Sequence, residues 1–192
     1  MTINTYKQPH SSFLSVDKDM SLIVDKIMSN ERLKKLLYYT TKDCLEKPKL
    51  TPEETREMFG KNIKIIPKLQ IDSNVLNYLF IQFDNFTPNG DNPEFRDNLI
   101  ELHIVCHYDQ WHLKDFEMRP FKIAAELDTM LNDAKMTGIG KLQFFGAKAL
   151  HISDEFGGIC LMYQAIHGED DKKGALNPAD DAKLKENFEQ WT

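Results

Sequence analysis

Residues 96–109 read RDNLIELHIVCHYD, and the period of this stretch decides the fold. Taken as an extended strand, it places Ile100, Leu102, Ile104, Cys106 and Tyr108 on one face. Leu99, Glu101, His103, Val105 and His107 fall on the other. A helix would instead bring His103 and His107 one turn apart, but the alternation through Ile104 and Val105 favours the strand. The apolar face is expected to pack on the core. The face that carries the imidazoles is expected to look away from it, toward solvent or a neighbouring subunit.

This reading bears directly on chemistry. On a strand His103 and His107 have Cα atoms roughly 13 Å apart at ~3.3 Å per residue. Bonds to a zinc ion are about 2 Å long, so the pair does not grip one ion without help. A third element, Asp109 or His151, would have to join them, and His112 lies beyond the strand end. No metal site and no cofactor are therefore assigned. The three cysteines, Cys44, Cys106 and Cys160, are odd in number and widely spaced, which argues against a disulfide framework or a paired-cysteine zinc site. Cys106 belongs to the apolar face and should be an inert buried thiol. Cys160 stands between aliphatic neighbours, and neither cysteine has a histidine at a recognisable nucleophile spacing.

Working outward, NIKIIPKLQID from residue 62 is β-branched and broken by proline, an edge-like extended segment. NVLNYLFIQFDNF is a strand joined to 96–109 by the turn formers TPNGDNPEF, giving a hairpin. After it, RPFKIAAELDTMLNDAKM predicts a helix with Pro120 at its start and Ile123, Leu127, Met130, Leu131 and Ala134 in one stripe; TGIGK is expected to stop it. KLQFFGAKALHI and GGICLMYQAIH then read as two strands about the turn SDEFGG. Before the sheet, residues 17–40 predict a two-part helical region. Asp17 is its expected cap, Met20, Ile23, Val24, Ile27 and Met28 form one stripe, and Leu33, Leu36 and Leu37 a second. Asn30 either closes the first helix or opens the next. Thr51, Pro52, Glu54 and Gly60 mark a short capped helix.

The predicted class is α+β: N-terminal helices, then a β-β-α-β-β core with the helix packed on one face of a mainly antiparallel sheet. Residues 1–16 form an arm, 17–167 a single domain, and 168–192 an acidic tail. A short amphipathic helix in that tail would carry Leu184, Phe188 and Trp191 on one side. These three, with Phe13 and Leu14 of the arm, are the candidate partner-binding residues.

Charge narrows the function classes. Of the net −6, residues 61–167 hold ten Lys and Arg against fourteen Asp and Glu, and residues 168–192 four against seven. No segment is a basic footprint for nucleic acid. An acidic surface suits a conduit for DNA better than a binder. The opening MTINTYKQPH has no apolar signal core, and no window approaches the roughly 20 apolar residues of a membrane span. A soluble chain is expected.

The order of elements resembles a group of tailed-bacteriophage proteins. A leading helix precedes IKIIPKLQI, two long strands follow, then RPFKIAAELDTML as one packed helix, GIGKLQF, and the closing strand GGICLMYQAIH. This is similar to the tail-terminator and neck class of head–tail connection proteins, over about residues 17–167. The resemblance implies a non-catalytic virion structural subunit assembled in the host cytoplasm. It would form a homo-oligomeric ring at the head–tail junction, between portal-side and tail-side proteins. DNA would pass through the lumen unbound, and no membrane is involved. Two other readings stand beside it: a non-catalytic adaptor that binds another protein through its C-terminal tail, and a metal-dependent hydrolase using the histidine strand. A solution mass separates the ring from the others, and stoichiometric zinc would favour the hydrolase.

Overall fold

The computed structural model describes residues 16–167, apart from 67, 73, 75, 89, 92–95 and 137–139. Its elements are α1 (Val16–Met28), α2 (Glu31–Tyr38), α3 (Pro52–Lys61), β1 (Ile63–Ile65), β2 (Asn77–Pro88), β3 (Arg96–His107), α4 (Arg119–Leu131), β4 (Lys135–Met136), β5 (Gly140–Lys141), β6 (Gln143–His151) and β7 (Phe156–His167). Five strands form one sheet in the order β1-β2-β3-β7-β6, with β4 and β5 as a separate small ribbon. β1 runs parallel to β2 at one edge, and the remaining pairs are antiparallel. This is the α+β arrangement expected from the sequence, with the order of elements that carried the resemblance.

β3 lies at the centre of the sheet because its apolar face is the most complete. Ile100, Leu102, Ile104 and Cys106 are buried with Leu79 and Ile81 of β2 and Leu161 and Tyr163 of β7. Against them pack Ile23, Val24 and Ile27 of α1, Leu33, Leu36 and Leu37 of α2, and Ile123, Leu127 and Leu131 of α4. Each such aliphatic side chain contributes roughly 1.5–3 kcal/mol. The Tyr163 hydroxyl donates to Asp128 at 2.9 Å and ties β7 to α4.

The other face of β3 is not simply outward, as the alternation had suggested. Val105 is fully buried in a second apolar cluster with Tyr78, Phe80 and Phe156, roofed by Ile66, Leu69 and Ile71. His103 is buried beside it. The roof is the connection from β1 to β2: a parallel crossover has to pass over the sheet, and this one passes over the imidazole face. The Tyr78 hydroxyl donates to the carbonyl of Asp72 at 2.7 Å and pins that connection. The extended run also ends earlier than residue 109, at His107, because Tyr108–Gln110 turns as a short 3-10 segment.

Helix ends follow local chemistry. Asn30 opens α2, its side chain accepting from the Leu33 N–H at 3.0 Å. Asp17 is not the first cap, since α1 already begins at Val16. Thr51 caps α3: its hydroxyl accepts from the Glu54 N–H at 3.2 Å, while the Glu54 carboxylate accepts from the Thr51 N–H at 2.7 Å. Gly60, at φ +82, turns the chain out of that helix. We expect Thr51→Ala to lower stability by about 1 kcal/mol, read by urea unfolding, because the orphan Glu54 N–H loses the hydroxyl that accepts from it. α4 stops before TGIGK. It ends at Leu131, Asp133 takes a left-handed φ of 60, and Ala134 therefore lies past the helical stripe that the sequence assigned to it.

Candidate interaction surface

β6 is an open sheet edge. Among the described residues its partner strand is β7 alone, from Gln143 opposite Gln164 to His151 opposite Gly157. Ala147, Lys148 and Ala149 are exposed on successive positions, so both faces of the strand meet solvent. The register slips between Phe144 and Gly146, which leaves Phe145 as the extra residue of a bulge. Phe145 is 64% exposed and Phe144 46%, although Phe144 leans edge-on against Tyr163 with ring centres 5.8 Å apart. An edge with unpaired backbone groups and two exposed aromatics is a template for another chain unless something covers it.

A second exposed aromatic surface sits elsewhere. Lys114–Phe116 is a short 3-10 segment in which Asp115 and Phe116 both take left-handed φ, 57 and 62. For non-glycine residues each such φ is strained, at a cost of roughly 1–3 kcal/mol. The segment is nonetheless firmly tied. Lys114 pairs with Glu46 at 2.6 Å, the Lys114 N–H donates to the Lys42 carbonyl, and Leu113 is buried. What this geometry delivers is Phe116, 99% exposed, with Phe121 also exposed at the start of α4.

The two aromatic surfaces are separated along the sheet. Phe144 pairs with Tyr163, which pairs with Ile100, seven residues from the His107 end of β3 where the Phe116 loop begins. That is roughly 23 Å of strand at ~3.3 Å per residue.

The histidines have separate neighbours. The His107 Nδ1 accepts from the Asp109 N–H at 3.2 Å, and its ring meets Phe156 edge-on. His151 Nδ1 lies 3.1 Å from the Tyr108 hydroxyl. His112 is exposed and bridges to Met118. His103 does not turn outward with the rest. It lies 8% exposed, its Nε2 3.0 Å from Glu101 Oε2, and Cys160 faces it from β7. Burial holds the His103 imidazole below the usual histidine range, only partly opposed by Glu101. Burial likewise pushes the Cys106 thiol up to about 12, in keeping with the inert role expected of it.

Leu184, Phe188, Trp191, Phe13 and Leu14, the partner-binding candidates read from sequence, lie outside the described residues. The surfaces that are described were missed for identifiable reasons. Phe116 is one aromatic in a charged loop, and only its backbone conformation marks it. The pair Phe144–Phe145 did carry a signal, because adjacent large apolar residues on a strand point to opposite faces, and an edge strand rarely has cover on both.

A family model described as YomW matches residues 30–165. No curated protein matches the sequence. Among solved structures, a chain of one titled "Virion of native gene transfer agent (GTA) particle" aligns with a TM-score of 0.48 at 12% identity, covering 81% of this chain and 98% of that one.

Proposed function

The chain belongs to the YomW family, and from that footing we propose that it is a virion structural protein, a ring-forming subunit at the head–tail junction of a tailed bacteriophage. The observation that carries this reading is the open β6 edge with its bulged Phe145. A closed ring needs a heterologous contact, in which one surface meets an unlike surface on the next copy. The β6 edge and the Phe116 loop are two such unlike surfaces, separated along the sheet.

In this reading residues 17–167 form one domain, and the arm and acidic tail clasp neighbouring copies through Phe13, Leu14, Leu184, Phe188 and Trp191. The role is non-catalytic. Portal-side and tail-side virion proteins flank the ring. A net charge of −6 keeps DNA sliding through the lumen rather than bound to it.

Sedimentation velocity on the full chain tests the assembly. The expected result is one closed species of fixed stoichiometry. Phe145→Glu and Phe116→Glu each shift it to the monomer while thermal stability changes by about 0.5 kcal/mol or less, since both side chains face solvent. A ring indifferent to both substitutions removes these surfaces from the argument, and a monomer at every concentration favours the adaptor reading.

A further inference from the structure

We propose that Glu101, His103 and Cys160 form a binding site for a single divalent transition metal ion of the zinc class. The sheet register brings them together. His103 of β3 stands directly opposite Cys160 of β7, and Glu101 lies two residues back on the same face. One ligand atom from each, a carboxylate oxygen, an imidazole nitrogen and the sulfur, lie within 4.8 Å of one another. Thiolate, imidazole and carboxylate together are a donor set that zinc accepts in tetrahedral sites, with water free to take the fourth position.

The alignment inside the group separates this from an ordinary histidine–glutamate pair. His103 Nε2 and Glu101 Oε2 are 3.0 Å apart, yet neither ring nitrogen of this buried imidazole makes an aligned hydrogen bond. Buried polar atoms are rarely left in that state. Two such atoms, with the Cys160 sulfur close by, can instead share an ion placed between them. Glu101 has a cation nearby: its other oxygen, Oε1, lies 3.9 Å from the Lys148 ammonium, while Oε2 faces the imidazole. A positioned outer partner of this kind orients a ligating carboxylate.

Charge and proton balance are consistent with a dication. A metal takes up the lone pair of a neutral imidazole, the form in which His103 would ligate. Cys160 is a free, buried cysteine, and the form that ligates a metal is its thiolate. Binding then forms the sulfur–metal bond and releases the thiol proton to solvent, with no change of oxidation state. One carboxylate and one thiolate neutralise the dication inside a largely dry site.

The test uses cobalt(II) on the full chain after stripping with a chelator. The expected result is one equivalent bound, with a thiolate-to-cobalt charge-transfer band in the near ultraviolet and one proton released per ion. Cys160→Ser abolishes the band, and His103→Gln weakens binding by about tenfold or more. If Cys160→Ser does not fold, Glu101→Gln takes its place: weakening of about tenfold supports the site, and unchanged affinity overturns it. A wild-type chain that shows no such band and retains no zinc on dialysis overturns the proposal, as does a band that survives in Cys160→Ser. Ring assembly is read separately by sedimentation, so either idea can fail alone.

Discussion

Replacing Arg119 by methionine should lower the unfolding free energy by roughly 3–5 kcal/mol, the range in which a buried network of charge-assisted hydrogen bonds is broken. Arg119 is fully buried at the start of α4. Its guanidinium donates to backbone carbonyls: Nη1 to Leu36 at 2.6 Å and to Tyr39 at 2.8 Å, Nη2 to Thr41 at 2.9 Å, and Nε to Gln110 at 2.8 Å. Leu36 lies in the last turn of α2, and Tyr39 and Thr41 lie just beyond it, so one side chain satisfies carbonyls that the helix cannot. A cation is also the sign that a helix C-terminus favours. Replacing a buried ion pair with apolar groups is often harmless, because both partners go. Here the acceptors are main chain, remain after any substitution, and would be buried without donors. Arg119→Lys should recover less than half of the loss, since a point-like ammonium cannot reproduce the planar fork. Guanidinium unfolding of both variants checks this, and a loss below about 1 kcal/mol for Arg119→Met would show that the carbonyls find other partners.

Gly158→Ala should be at least as severe, with an expected loss above about 4 kcal/mol and little folded protein recovered. A Cβ built at Gly158 falls 1.8 Å from the Ile104 carbonyl oxygen, 2.8 Å from the Ile104 carbonyl carbon and 3.2 Å from Val105 Cα. All three are backbone atoms of β3, the central strand, which β2 holds from the other side. Neither strand can yield without parting the β3–β7 ladder on which both cores depend. Gly146 is the control. There a Cβ meets the flexible end of Met162 at 3.5 Å, an ordinary contact, and Gly146→Ala should change stability by less than about 1 kcal/mol. Thermal melts of the pair give the contrast directly. Equal tolerance at both positions would mean that the β3–β7 spacing is looser than described.

These two residues also show how far the sequence could be read. Strand identity and order were legible because alternation survives in β3 and turn formers bound each segment. The capped α3 was legible because Thr51 and Glu54 form a local bond pattern with a fixed spacing. What depended on distant partners was not. Arg119 entered the sequence reading only as the first letter of the helix RPFKIAAELDTML, although the carbonyls it binds lie up to 83 residues away in sequence. His103 was expected outside because its own strand alternates. The face it shares with Val105 is covered in part by Ile66, Leu69 and Ile71, brought there by the connection between β1 and β2, which no local pattern announces. For the same reason His103 was weighed with His107, its neighbour in sequence. Its neighbours in space are Glu101 and, across the ladder, Cys160.

The interaction surfaces divide along similar lines. Terminal apolar residues such as Trp191 stand out in a charged tail. Phe116 and Phe145 gain meaning from a left-handed backbone and a bulge, features of conformation rather than composition.

The central claim, that this chain is a built-in part of a virion, is tested most directly by quantitative peptide mass spectrometry on purified, DNA-filled particles washed free of loosely held protein. The account predicts the chain at a small fixed number of copies per particle, the same in every preparation. Its absence from such particles, or a copy number that falls with each wash, would contradict it.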